Sequence, residues 1–134
     1  MKKITFLTLI VSGFILVQNA KSQEKEPWIT LPVIAVRENP FKGNVTFLKE
    51  SKALYRSHCG SCHGNNGKGD GIAAYACDPK PADHTSDYVQ SETDGSLYFK
   101  ISEGRGPMPT FKATLTEEQI WGLVNYIRTL KAKK

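Results

Sequence analysis

The sequence predicts an all-α domain of three to four helices joined by long loops. Two segments, about 44–58 and 116–130, repeat apolar residues at three- and four-residue spacing. The stretch between them is dense in glycine and proline. No strand-like runs alternate with helical ones, and no internal repeat occurs. The length of 134 residues suits one compact domain rather than two. With 40% hydrophobic residues, the composition is that of a folded chain.

The first element reads as a targeting segment. Met1-Lys2-Lys3 is basic, and Ile4 to Val17 is fourteen residues of nearly unbroken apolar character. A bilayer-spanning helix needs about 20 residues, so this run suits the apolar region of a cleavable export signal better than a stable membrane anchor. Ala20 and Ser22, small and two apart, place cleavage after Ser22, which makes residues 1–22 the signal peptide. An uncleaved anchor is the alternative, and no cysteine lies nearby to carry a lipid.

The formal charge is +5, from 18 basic and 13 acidic residues. Losing Lys2, Lys3 and Lys21 leaves 112 residues with 15 basic and 13 acidic, a net +2. That small excess gives no compositional support for a nucleic-acid partner. Export implies an oxidising, periplasmic compartment in which unused cysteines oxidise.

Residues 23–43 read as an irregular N-terminal arm, because Pro27, Pro32 and Pro40 push their predecessors toward extended backbone. Trp28, Ile29, Leu31, Val33 and Ile34 are its docking candidates. The domain proper is expected over 44–134. Its first helix, with Asn44 suited to the N-cap, carries Phe47, Leu48, Ser51, Leu54 and Tyr55 on one side and runs into His58-Cys59. Residues 64–87 read as a structured loop with a helical turn near 72–75. A short helix is expected over 95–102, capped by Asp94, with Leu97, Tyr98 and Ile101 on one face and Gly104 as its stop. Residues 104–109 are irregular. Thr116-Glu117-Glu118-Gln119 fits a capping box that opens a last helix, whose stripe is Ile120, Leu123, Val124, Ile127 and Leu130, flanked by Trp121 and Tyr126.

The chemistry lies in Cys59-Gly60-Ser61-Cys62-His63, a C-x-x-C-H sequence that is the attachment signature of a c-type haem. Two thiols three positions apart can each add to one vinyl group of the porphyrin when the backbone turns between them. The next residue, His63, is then carried under the ring plane, where an imidazole nitrogen reaches iron. Two other chemistries draw on the same residue types. A thioredoxin-like C-x-x-C opens a helix after a strand, whereas this one follows a helix. A zinc site would draw on Cys59, Cys62 and Cys77 with His63 or His84. Once Met1 is removed, Met108 is the single methionine. Held between Pro107 and Pro109, 45 residues after His63, it is the candidate second axial ligand. A thioether is a soft donor that favours Fe(II) and raises the reduction potential. The prolines are expected to hold its loop extended.

Together these features resemble a class I, single-haem cytochrome c of the bacterial exported kind. The resemblance spans roughly Phe47 to Lys131. It rests on the first amphipathic helix, Cys59-Gly60-Ser61-Cys62-His63, the run Gly64 to Gly71, Pro79-Lys80-Pro81-Ala82-Asp83, Gly106-Pro107-Met108-Pro109 and the last helix. It implies a cytochrome c fold wrapping one covalently attached haem c, with thioethers at Cys59 and Cys62 and iron ligation by His63 and Met108. It implies that the first and last helices cross beside the haem, with Phe47, Leu48, Leu54, Trp121, Val124 and Tyr126 in contact. It also implies a backbone carbonyl, from Pro79 or Pro81, accepting from the His63 ring. Two residues depart from the pattern. His84 replaces an apolar residue, and either sits at the haem edge or competes as a ligand. Cys77 is an extra thiol, which could be buried and inert, paired between molecules, or redox-sensitive.

Two filled axial positions leave no site for a substrate, so the expected function is electron transfer and not catalysis. The expected partners are redox proteins: a dehydrogenase, a cytochrome bc1-type complex or a terminal oxidase. The protein would act as a monomeric carrier or, alternatively, as the haem-bearing subunit of a dehydrogenase or oxidase complex. Lys68, Lys80, Arg105 and Lys112 are candidates for steering an acidic partner.

Overall fold

The computed structural model describes residues 27–44 and 46–132. The expected signal peptide, residues 1–22, lies outside the described residues, as do the first four residues of the arm. Among the described residues there are helices and one isolated bridge, between Arg105 and Met108, and no strand.

Six helical segments follow in order: α1 (Pro32–Ala35), α2 (Thr46–His58), α3 (Gly60–His63), α4 (Asp87–Ser91), α5 (Asp94–Glu103) and α6 (Glu117–Thr129). A 3-10 turn, Ala74–Ala76, interrupts the loop between α3 and α4, close to the turn expected at 72–75. The three long helices are those that the apolar periodicity predicts. The arm departs from the irregular expectation by one helical turn, because Pro32 sits at the first helical position, where its missing N–H costs nothing. The helix α4 was not expected. Ser86 caps it, its Oγ accepting from the Val89 N–H at 3.4 Å. At α5 the cap is Thr93 and not Asp94: the Thr93 Oγ1 accepts from the Ser96 N–H at 3.2 Å, and Asp94 stands in the first turn. At α6 both halves of the Thr116/Gln119 capping box form.

The core forms where α2 crosses α6. A methyl group added at Gly122 would stand 2.6 Å from Ser51 Oγ and 2.8 Å from the Phe47 ring, so glycine sets how closely the two helices approach. Below this crossing the rings of Tyr55 and Tyr126 meet at 5.0 Å. Tyr55, Ile120, Trp121, Leu123 and Val124 are fully buried. Burial of each such side chain contributes about 2 kcal/mol. The helix α5 joins them through Tyr98, whose ring lies 4.3 Å from that of Trp121.

Arg128 staples α4 and α5 to α6. Its guanidinium donates to Asp94 Oδ1 at 2.8 Å and to the Gln90 carbonyl at 3.2 Å, so it satisfies an end-of-helix acceptor that α4 cannot satisfy itself.

The arm lies over α5 and α6. The Arg37 guanidinium sits 4.5 Å from the Tyr98 ring and 5.4 Å from the Trp121 ring. The Asn39 amide donates to Asn125 Oδ1 at 2.9 Å, and Asn125 in turn donates to the Phe41 carbonyl at 2.9 Å. Of the expected docking residues, Trp28 and Ile34 are half-buried, with Trp28 facing Arg105 at 4.9 Å. Ile29, Leu31 and Val33 are instead exposed. The single turn of α1 has too few residues to turn every apolar side chain inward.

Candidate haem site

The site is built on the junction of α2 and α3. The Cys59 N–H donates to the Tyr55 carbonyl at 2.8 Å, and the His63 N–H donates to the Cys59 carbonyl at 2.8 Å. Helical geometry thus continues through the motif and sets Cys59 and Cys62 one turn apart on one side. Cys59 is buried and Cys62 half-exposed. Burial, aided by Cys62, pushes the Cys59 thiol up to about 12.

His63 is buried and its Nδ1 lies 3.0 Å from the Ala82 carbonyl oxygen. A carbonyl only accepts, so Nδ1 carries the proton and Nε2 keeps a free lone pair. Burial lowers the pKa of the ring against the opposing effect of this bond, which holds it in the neutral, ligating form. The carbonyl expected from Pro79 or Pro81 therefore comes from Ala82. The reason is the path of the loop. The Gly69 N–H bonds the His63 carbonyl at 2.8 Å and the His84 N–H bonds the Gly67 carbonyl at 2.6 Å, which lays residues 82–84 alongside the motif.

His84 is also buried. Its ring stacks on His63 with centroids 4.1 Å apart and planes 17° apart, and its Nδ1 shares a 2.8 Å hydrogen bond with Tyr55 Oη. Burial, then the neighbouring His63, push its pKa down to about 3, with Asp83 acting the other way. Face-to-face stacking puts His84 beside His63 and not beyond its Nε2.

Met108 is half-buried and packs on the apolar cluster that also holds Cys59, Phe111 and Trp121. Its loop is not extended, as the prolines suggested, but turned: the Met108 N–H donates to the Arg105 carbonyl at 3.0 Å. Thr110 Oγ1, donating to the Ser102 carbonyl at 2.7 Å, ties this loop to α5. Nearby, Trp121 is fully buried, and its indole N–H has no hydrogen-bond partner among the described residues.

Cys77 has a neighbour that the sequence spacing did not suggest: its sulfur lies 3.9 Å from that of Cys62. His58 is exposed, edge-on to Phe111 at 5.9 Å. Of the basic residues expected to steer a partner, Lys80 donates to the Tyr75 carbonyl at 2.8 Å, Lys112 pairs with Glu103 at 2.5 Å and Arg105 lies over Trp28. Lys68 is exposed. The zinc arrangement needs converging donors, and among the described residues no group of three or more His, Cys, Asp or Glu side chains converges on one point.

The donors fit a c-type haem. Two thiols stand one turn apart, the neutral imidazole has one nitrogen committed and one free, and a thioether packs on the same apolar cluster. A buried indole N–H stands without an acceptor among the described residues.

Solved structures similar to this chain include the following two. KustC0563, a c-type cytochrome, is 29% identical with a TM-score of 0.52, over 61% of this chain and 98% of that one. A chain of the Kuenenia stuttgartiensis reducing HAO-like protein complex Kustc0457/Kustc0458 is 27% identical with a TM-score of 0.57, over 66% of this chain and 45% of that one. This chain thus spans less than half the length of the second relative. No curated protein matches it. Residues 47–127, which include the C-x-x-C-H motif and Met108, match the family described as cytochrome c oxidase, cbb3-type, subunit III. An all-α chain with that motif on that fold, matched over most of its length, belongs to this family and is a c-type cytochrome carrying covalent haem c.

Proposed function

We propose that the chain is a periplasmic, monomeric carrier that passes single electrons between redox proteins, with Cys59 and Cys62 as the thioether residues and His63 and Met108 as the axial ligands. The observation that carries this reading is the fixed tautomer of His63: the Ala82 carbonyl takes the Nδ1 proton, which leaves Nε2 as a donor at the end of the attachment motif. When bound, the haem supplies a one-electron Fe(III)/Fe(II) couple. The Ala82 bond orients the imidazole and makes it more electron-donating. Met108 presents a soft sulfur from a loop tied down at Ser102. The apolar cluster of Phe111, Leu115 and Trp121 excludes water from that side. With His63 and Met108 both holding the iron, no coordination site would be left for a substrate, which favours electron transfer over catalysis.

Optical spectra of the exported full chain, oxidised and reduced, test this directly. Met108→Ala should lose the low-spin His/Met signature and lower the reduction potential. An unchanged spectrum and potential would remove Met108 from the site. Zinc in place of covalent haem would end the reading altogether.

A second reading, the haem-bearing subunit of a dehydrogenase or oxidase complex, draws support from the exposed apolar residues Ile29, Leu31, Val33 and Val36 on the arm. It also fits the family's description as an oxidase subunit and the relative that comes from a protein complex. Co-purification of the native chain in a larger assembly would favour it over the free carrier.

A further inference from the structure

We propose that His84 is a positioning residue for the iron ligand: its ring, tethered by Tyr55, fixes the rotation of the His63 imidazole in the haem-loaded protein. This deepens the reading of His63 as an axial ligand, on which it rests, and adds a residue that neither attaches the haem nor holds the iron.

A single hydrogen bond does not fix the plane of a ring. The Ala82 carbonyl oxygen, 3.0 Å from His63 Nδ1, holds one edge of the imidazole. The ring can still swing about that edge, because carbonyl oxygens accept over a broad range of directions. A contact on the face of the ring removes this freedom. His84 supplies it: the two rings lie face to face, with centroids 4.1 Å and planes 17° apart. A swing of His63 toward His84 meets the second ring, and a swing away from it gives up the stacking contact.

The second ring is itself held. Tyr55 Oη, from a fully buried tyrosine of α2, shares a 2.8 Å hydrogen bond with His84 Nδ1. The His84 main chain is bonded on both sides. Its N–H donates to the Gly67 carbonyl at 2.6 Å, and its carbonyl accepts from the Gln90 side-chain amide at 2.7 Å. The same amide nitrogen donates to the Ile127 carbonyl at 2.9 Å, which links the segment to α6. A Cβ added at Gly67 would stand 3.2 Å from the His84 Cβ and 2.7 Å from a Leu130 methyl, so glycine lets this loop close on its neighbours. One short segment, residues 82–84, thus delivers both an edge contact and a face contact to His63.

An apolar side chain would fill the same volume without burying an imidazole, which costs free energy even when one nitrogen is bonded. What it would lack is the flat face and the tether. A ligand ring that keeps its plane when iron changes oxidation state leaves little to rearrange as an electron passes, and groups around a metal ligand commonly serve to orient it in this way.

The test uses the exported, haem-loaded full chain beside His84→Leu, His84→Phe and Tyr55→Phe. In the ferrous wild type, nuclear Overhauser contacts from the His63 ring protons to the porphyrin meso protons should define one ring plane. His84→Leu should lose that single pattern and shift the ferric haem-methyl resonances. His84→Phe keeps a flat ring and should retain both. Tyr55→Phe cuts only the tether and should move both in the direction of His84→Leu; as the milder change, it decides alone if His84→Leu fails to fold. Unmoved resonances in His84→Leu overturn the proposal even where its Tm falls, because a side chain that only fills the core lowers Tm and leaves the ring plane alone. Equal shifts in the leucine and phenylalanine variants overturn it too. So does a wild-type spectrum of two histidine ligands that His84→Leu abolishes, which would make His84 a ligand. A wild type without covalent haem removes the haem reading and this one together, whereas covalent haem with an unmoved pattern removes this one alone.

Discussion

Burial against His63 and Tyr55 holds the His84 imidazole neutral, with its pKa pushed down to about 3. An unfolded histidine titrates near 6.5. Between these values the unfolded chain binds a proton that the folded chain refuses, so stability rises with pH there and falls on acidification. From His84 alone the slope is at most about 1.4 kcal/mol per pH unit from roughly pH 6 down to pH 3. Thermal unfolding at pH 7.5 and 4.5 should therefore show a lower Tm at the acid value. His84→Gln, which cannot charge, should flatten the difference. Equal acid sensitivity in the variant would place the responsible group elsewhere.

At the scale of elements, the crossing of α2 and α6 depends on Gly122. Alanine would gain about 1 kcal/mol in helix propensity but meet Ser51 and Phe47 at under 3 Å. Overpacking of this kind costs about 1–3 kcal/mol. Gly122→Ala should be mildly destabilising, and Gly122→Val, larger and β-branched, should lower the urea midpoint further. A valine variant as stable as the parent would mean that the helices can part without loss.

The helices α2 and α6 were legible in the sequence because apolar residues recur along them at three- and four-residue spacing, and α5 because Leu97, Tyr98 and Ile101 share a face ahead of a glycine stop. The segments α1 and α4 were not, being four and five residues long, too short for a period to show. Thr93 and Asp94 are both good caps on chemistry alone, and only the backbone path decides between them. At the site, the motif and Met108 stood out as residue types. The partners of those residues did not. Ala82 acts through its carbonyl, which every residue has, and Cys77 and His84 reach Cys62 and His63 through the course of a loop.

At the scale of the molecule, the arm is a strap fastened at two points, the Arg37 guanidinium over Tyr98 and Trp121 and the Asn39–Asn125–Phe41 bonds. A cation–π contact is worth about 0.5–2 kcal/mol and each buried hydrogen bond about 1 kcal/mol. A chain that begins at Asn44 should keep the helical circular-dichroism signal and covalent haem but lose about 2–4 kcal/mol, a Tm roughly 10 °C or more lower. Loss of all helical signal would make the arm part of the domain and move the boundary proposed at residue 44.

The contact between α2 and α6 joins segments near opposite ends of the described chain. A ribosome delivers α2 long before α6, and until residues 117–129 emerge Tyr55 has no Tyr126 to close on. The core therefore cannot close until residues 117–129 are present, so α6 is the element on which closure waits.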